Sequence, residues 1–91
     1  MSDALAPGTY FLVLAMRTPA FDPAVGPRHR VFLDALAAER RLAATGGFSD
    51  GSGGAYLLRA ADLDEATAIA HRDPLHLEGA SVLSVREWVV R

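Results

Sequence analysis

Thr9-Tyr10-Phe11-Leu12-Val13-Leu14-Ala15-Met16 is the stretch that decides the fold. Aromatic and branched residues follow Thr9 without a polar break, and a Pro7-Gly8 turn signal precedes them. Such a run reads as a β-strand, and continuous apolarity in place of alternation marks a central strand covered on both faces. Helices are expected over one face and a second subunit over the other. Immediately downstream, Arg17 to Pro27 holds three prolines and a glycine. Proline fixes φ and removes a donor, so this is an ordered loop, and a loop joining strand to helix is a usual rim for a ligand.

Arg28 to Ala44 is rich in Ala, Leu, Arg and Glu and has no internal Gly or Pro, which predicts a helix. Pro27 suits its first turn, and Phe32, Ala35, Leu36, Leu42 and Ala43 approximate a buried stripe. Gly46 and Gly47 are expected to end it as residues tolerant of the left-handed conformation. Asp50-Gly51 is a hairpin signal, predicting short strands at Gly47–Asp50 and Ala55–Ala60. Asp62 and Glu65 form a capping pair for a second helix whose inward face is Leu63, Ala66, Ile69 and Ala70. Asp73-Pro74 ends it, since the residue before proline is pushed out of the helical region. Pro74 to Gly79 reads as a short connection with one irregular turn, and Ala80 to Val90 as the last strand. The order strand, helix, strand, strand, helix, strand is the split βαβ arrangement: a ferredoxin-like α+β fold, an antiparallel sheet with both helices on one face.

Ninety-one residues, half of them apolar, make one domain spanning 1–91. A chain this small leaves much surface exposed, so pairing with a second copy is expected. A net charge of −2 provides no basic field for nucleic acid or anionic lipid. The absence of cysteine excludes disulfides, thiolate metal sites and cysteine nucleophiles. Met1-Ser2-Asp3-Ala4 lacks the positive region of a secretory signal, and Tyr10 to Met16 is too short to cross a bilayer. The expectation is a soluble cytoplasmic protein.

Two residues invite chemistry. His29, at the start of the first helix, offers an imidazole that can take or give a proton near neutral pH, and a carboxylate partner would orient it. Asp73 is the candidate partner, although its place before Pro74 is equally explained as a helix end. Spacing does not prove that they meet, because the junctions carrying them are expected at opposite ends of the sheet layer unless a loop folds across or a dimer mate contributes. His71, Asp73 and His76 raise a metal reading, but the proline between the histidines breaks the spacing of a helical metal motif. Ser49, Asp50, Ser52 and the surrounding glycines match neither GxxxxGK[ST] nor GxGxxG and read as a turn whose amides can line a pocket. A triad of Ser49, His29 and Asp73 lacks any GxSxG elbow.

The chain resembles the YciI-like (YCII-related) family from about Tyr10 to Val90. The likeness lies in the apolar first strand, Arg28-His29 followed by Phe32-Leu33, Gly46-Gly47 and the Gly-rich hairpin. It continues through the helix from Asp62 to Ala70, Asp73-Pro74-Leu75 with Gly79, and Val85-Arg86-Glu87-Trp88. The resemblance implies a dimeric α+β barrel with a pocket between sheet and helices, His29 and Asp73 brought together as the acting pair. It also implies relatives among dehydrochlorinases of chlorinated hydroxyquinols and, in the wider superfamily, muconolactone isomerases. The leading expectation is a cofactor-independent lyase or isomerase, without a metal, acting on a hydroxylated and possibly chlorinated aromatic-derived small molecule. Arg17, Arg28 and Ser49 are the expected substrate-binding positions, and Tyr10, Phe48 and Trp88 candidates for an aromatic wall. The competing expectation is a non-catalytic binding module or dimeric interaction module.

Overall fold

Phe11, Val13 and Ala15 turn to one side of the first strand and Leu12, Leu14 and Met16 to the other, as the alternation of a pleated backbone requires. This computed structural model describes residues 5–91, and the reading of Met1-Ser2-Asp3-Ala4 lies outside the described residues. The elements are β1 (Gly8–Arg17), a 3-10 turn (Pro23–Val25), α1 (Gly26–Ala38), β2 (Leu42–Gly47), β3 (Gly53–Leu58), α2 (Leu63–Ala70), α3 (Pro74–Leu77) and β4 (Ser81–Val90). The strands lie in the order β2-β3-β1-β4, and every pair is antiparallel. This is the ferredoxin-like α+β topology, with β1 central as its apolar run predicts.

Phe11, Val13, Tyr56 and Leu58 from the sheet meet Leu36, Ala66, Ile69 and Ala70 from the helices to form the main core. A smaller cluster of Ala15, Val25, Leu75 and Ala80 closes one end. Among the described residues no helix lies over the other face of the sheet: Met16, Val82 and Trp88 are 41%, 65% and 47% exposed there. Asp62 caps α2 by accepting the Glu65 N–H at 2.8 Å, while Glu65 accepts from the Ala61 N–H and from Arg41.

Three expectations are corrected. The first helix stops at Ala38, not Ala44, and the chain turns at Arg40, whose φ is +60°. Leu42-Ala43-Ala44 has helical propensity, but Leu42 pairs with Leu58 in the core and Ala44 with Leu57, so tertiary pairing overrides it. Gly46 and Gly47 consequently lie in β2 and do not cap a helix. The expected strand Gly47–Asp50 is mostly turn: the Phe48 N–H donates to the Gly53 carbonyl at 2.8 Å, the Ser52 N–H to Asp50 at 2.9 Å, and Gly51 has φ +77°. Finally, the single turn expected between Pro74 and Gly79 is regular, the short helix α3.

The topological objection to a His29–Asp73 contact also fails. Because β1 and β4 are antiparallel neighbours, Arg17 at the end of β1 faces Ser81 at the start of β4. Thr18 fastens this end, its N–H to the Ala80 carbonyl at 3.0 Å and its hydroxyl to Gly79 at 2.7 Å. The β2–β3 turn joins them through Arg17 N–H and the Ser52 carbonyl at 3.0 Å. Gly53 is required here, since a Cβ would collide with the Ala15 carbonyl oxygen and its φ is +156°. The start of α1, the end of α2 and the turn therefore gather at one end of the sheet.

Candidate active site

His29 is placed by the stripe Val25, His29, Phe32, Leu36, which recurs at helical spacing on the inward side of α1. Its side chain keeps 22% exposure. Asp73 is placed by the break between α2 and α3. Pro74 forces it into an extended conformation (φ −64°, ψ 130°), from which its side chain turns inward to complete burial.

Three groups converge on that carboxylate. Oδ1 lies 2.9 Å from His29 Nδ1 and 2.9 Å from the Leu75 N–H, and Oδ2 accepts from the Tyr56 hydroxyl at 2.9 Å. Asp73 thus caps α3 and holds the imidazole with the same side chain. An ionised carboxylate only accepts, so the pattern assigns the proton to His29 Nδ1 and leaves Nε2 with its lone pair. Among the described residues Nε2 has no hydrogen-bond partner, and it is not fully buried. An imidazole in this setting can accept a proton at Nε2, and a carboxylate at Nδ1 stabilises the imidazolium that results.

Tyr56 braces the carboxylate from below. Its ring lies 6.1 Å from that of His29 and 6.2 Å from that of Phe32. Burial, reinforced by the charge of Asp73 and the hydrogen bond to it, pushes the phenol far above its ordinary value of 10.0. Above pH 10 the unfolded chain releases this proton and the folded chain retains it, so stability present below that pH is lost as pH rises. Unfolding free energy is expected to fall by about 1.4 kcal/mol per pH unit above pH ~10 on this account. Urea titrations of wild type and Tyr56→Phe check it, because the variant lacks that contribution to the slope.

The pair opens on a cavity of about 570 Å³ between α1 and the sheet. The space exists because the row of helix-facing residues at this end is Gly47, Gly54 and Ala15, aligned in register across β2, β3 and β1. Of the three expected substrate-binding residues, only Arg17 lines it, with its guanidinium 4.1 Å from the Phe21 ring centroid. Arg28 lies outside, doubly hydrogen-bonded to Glu78 at 2.8 and 2.6 Å, a contact that raises the arginine and lowers the glutamate. Ser49 sits outside too, in the exposed hairpin turn. Tyr10, Phe48 and Trp88 do not form the wall; the aromatic residues there are Phe21 and Tyr56. The sequence reading missed both: Tyr56 shares the Leu58 face of its strand, a signal that could have found it, whereas Phe21 in the proline-rich loop gave no comparable signal. His71 and His76 stack at 4.4 Å on the surface, and among the described residues no group of three or more His, Asp or Glu is placed to hold a metal.

The sequence matches the YCII-related domain over residues 9–89. The chain belongs to the YCII-related family. This YCII-related chain is 46% identical over 81 residues to the uncharacterized protein YjpA of Bacillus subtilis (strain 168), covering 89% of this chain and 95% of that one. Its fold is similar to that of TftG from Burkholderia phenoliruptrix AC1100, a 5-chloro-2-hydroxyhydroquinone dehydrochlorinase solved in complex with 2,5-dihydroxybenzoquinone. That likeness has a TM-score of 0.65 at 21% identity, over 87% of this chain and 92% of the other. No helix among the described residues of this YCII-related chain is long and apolar enough to cross a membrane.

Proposed function

We propose that this pocket carries out proton transfer on a hydroxylated, aromatic-derived small molecule, as a lyase or isomerase that needs no cofactor. The observation that carries the reading is the 2.9 Å contact between His29 Nδ1 and a fully buried Asp73, with Nε2 left for the cavity. His29 Nε2 removes a proton from the carbon beside a carbonyl. The freed electron pair then forms a carbon–carbon double bond and expels a leaving group such as chloride. Alternatively the pair migrates and the imidazolium returns the proton at the far carbon. Asp73 orients the ring and stabilises its charged form throughout. Arg17 at the wall holds the oxyanion that develops on the carbonyl. A fold shared with a dehydrochlorinase supports the elimination arm.

The test is turnover of chlorinated and unchlorinated hydroxyaromatics and their quinones, followed by halide release and by absorbance. Catalysed halide release supports elimination, and absorbance change without halide supports double-bond migration. Binding without either makes the protein a binding module and removes the catalytic reading.

The second copy belongs to the same proposal. Leu12, Leu14, Met16, Val82 and Trp88 form an apolar sheet face that no helix covers among the described residues, and we propose that it packs against the same face of a partner. Sedimentation equilibrium is expected to give twice the chain mass, and Met16→Lys with Trp88→Lys to give the single-chain mass. A wild-type monomer at working concentration would refute the pairing.

A further inference from the structure

Arg17 and Phe21 say what kind of molecule the cavity takes, an inference that rests on the proton-transfer reading only for the site they share. Position 17 follows Phe11, Val13 and Ala15 on the helix-facing side of β1, which directs its side chain toward the cavity. The guanidinium lies over the face of Phe21, and among the described residues it has no carboxylate partner. Arg28 and Arg41, by contrast, are each paired with a glutamate. A stacked guanidinium is held by its plane and keeps its edge donors for a ligand lying alongside.

Phe21 is itself fixed. It packs against the cluster of Ala15, Val25, Leu75 and Ala80, and Leu75 supplies the backbone donor to Asp73. One small cluster therefore positions both the carboxylate behind His29 and the ring under Arg17. Arg30 also lines the cavity without an ion pair, and the exposed carboxylate there is Asp34. Among the described residues two guanidiniums without an ion pair, Arg17 and Arg30, therefore face the cavity. Along the row Gly47, Gly54 and Ala15 the sheet presents nothing larger than a methyl group, which admits a flat ligand closely there.

We infer that the pocket selects a planar substrate bearing a delocalised oxyanion, with Arg17 braced on Phe21 binding that oxygen and setting which edge of the ring faces His29. The shared chemistry has two sources, an ionised hydroxyquinone or a ring carboxylate. Calorimetric titration of the full chain separates them with four probes: 2,5-dihydroxybenzoquinone, benzoate, neutral 1,4-dihydroxybenzene and the puckered anion cyclohexanecarboxylate. At least one planar anion is expected to bind roughly 10-fold or more tighter than the neutral ring and the puckered anion. The tighter of the two planar anions names the source. Arg17→Met is expected to weaken planar-anion binding by about 10–100-fold while leaving the neutral ring unaffected. Arg17→Lys keeps the charge but not the stacked fork, and is expected to recover only part of the loss.

Equal affinity for anionic and neutral rings, an anion preference that survives Arg17→Met, or no binding of any probe overturns the inference. Selective anion binding without turnover of any substrate leaves it standing and removes the proton-transfer reading. Turnover of neutral rings with no anion preference does the reverse.

Discussion

His29→Ala is expected to lower turnover by about 10²–10⁴-fold, the range typical of losing a positioned general base. The loss should appear in kcat, because the imidazole acts on the proton in flight and contributes little to holding the ground state. Stability should change little. His29 is partly exposed, and its removal leaves Asp73 with the Tyr56 hydroxyl and the Leu75 N–H, so no buried donor is orphaned. A variant that folds, binds substrate and fails to turn it over is the expected result. Unchanged kcat removes His29 from the reaction.

Asp73→Ala is expected to act on both fold and function. Its carboxylate is wholly buried and accepts the buried Tyr56 hydroxyl, which the variant leaves without a partner at a cost of about 1–3 kcal/mol. It also accepts the Leu75 N–H as the cap of α3, worth about 1 kcal/mol. The sum is about 3 kcal/mol, a large part of the stability of a domain this size. For a chain of this length that lowers Tm by roughly 12–24 °C, readable by thermal circular dichroism. Asp73→Asn is the informative companion. It keeps the volume and the oxygen that accepts from Nδ1 and from the Leu75 N–H, with its amide turned to the Tyr56 hydroxyl, but it removes the negative charge that stabilises the imidazolium. Its activity should therefore fall far more than its stability. Activity near that of wild type in Asp73→Asn contradicts the role given to the carboxylate.

The elements legible in the sequence are those whose side chains state their environment. The unbroken apolar run of β1, the Asp62 and Glu65 capping pair and the break at Asp73-Pro74 each appear where their chemistry places them. Leu42-Ala43-Ala44 misleads because its helical propensity is local, whereas pairing with Leu57 and Leu58 depends on a strand more than ten residues away. The contact between His29 and Asp73 spans 44 positions and carries no local signature. The stripe read from Phe32 and Leu36 extends back through His29 to Val25, on the face that α1 buries. The antiparallel pairing of β1 with β4 then brings Asp73 to it, a consequence of topology that no short pattern announces. Arg28 and Ser49 illustrate the limit in the other direction: nearness in sequence to His29 or to a glycine-rich turn did not put either in the cavity.

The most direct measurement is the tautomer of His29, read from its two imidazole nitrogens in a long-range ¹⁵N–¹H correlation spectrum at a pH where the ring is neutral. The arrangement of donors around Asp73 predicts a protonated Nδ1 and a pyridine-like Nε2. A wild-type spectrum showing the proton on Nε2, or rapid exchange between the two forms, would contradict it.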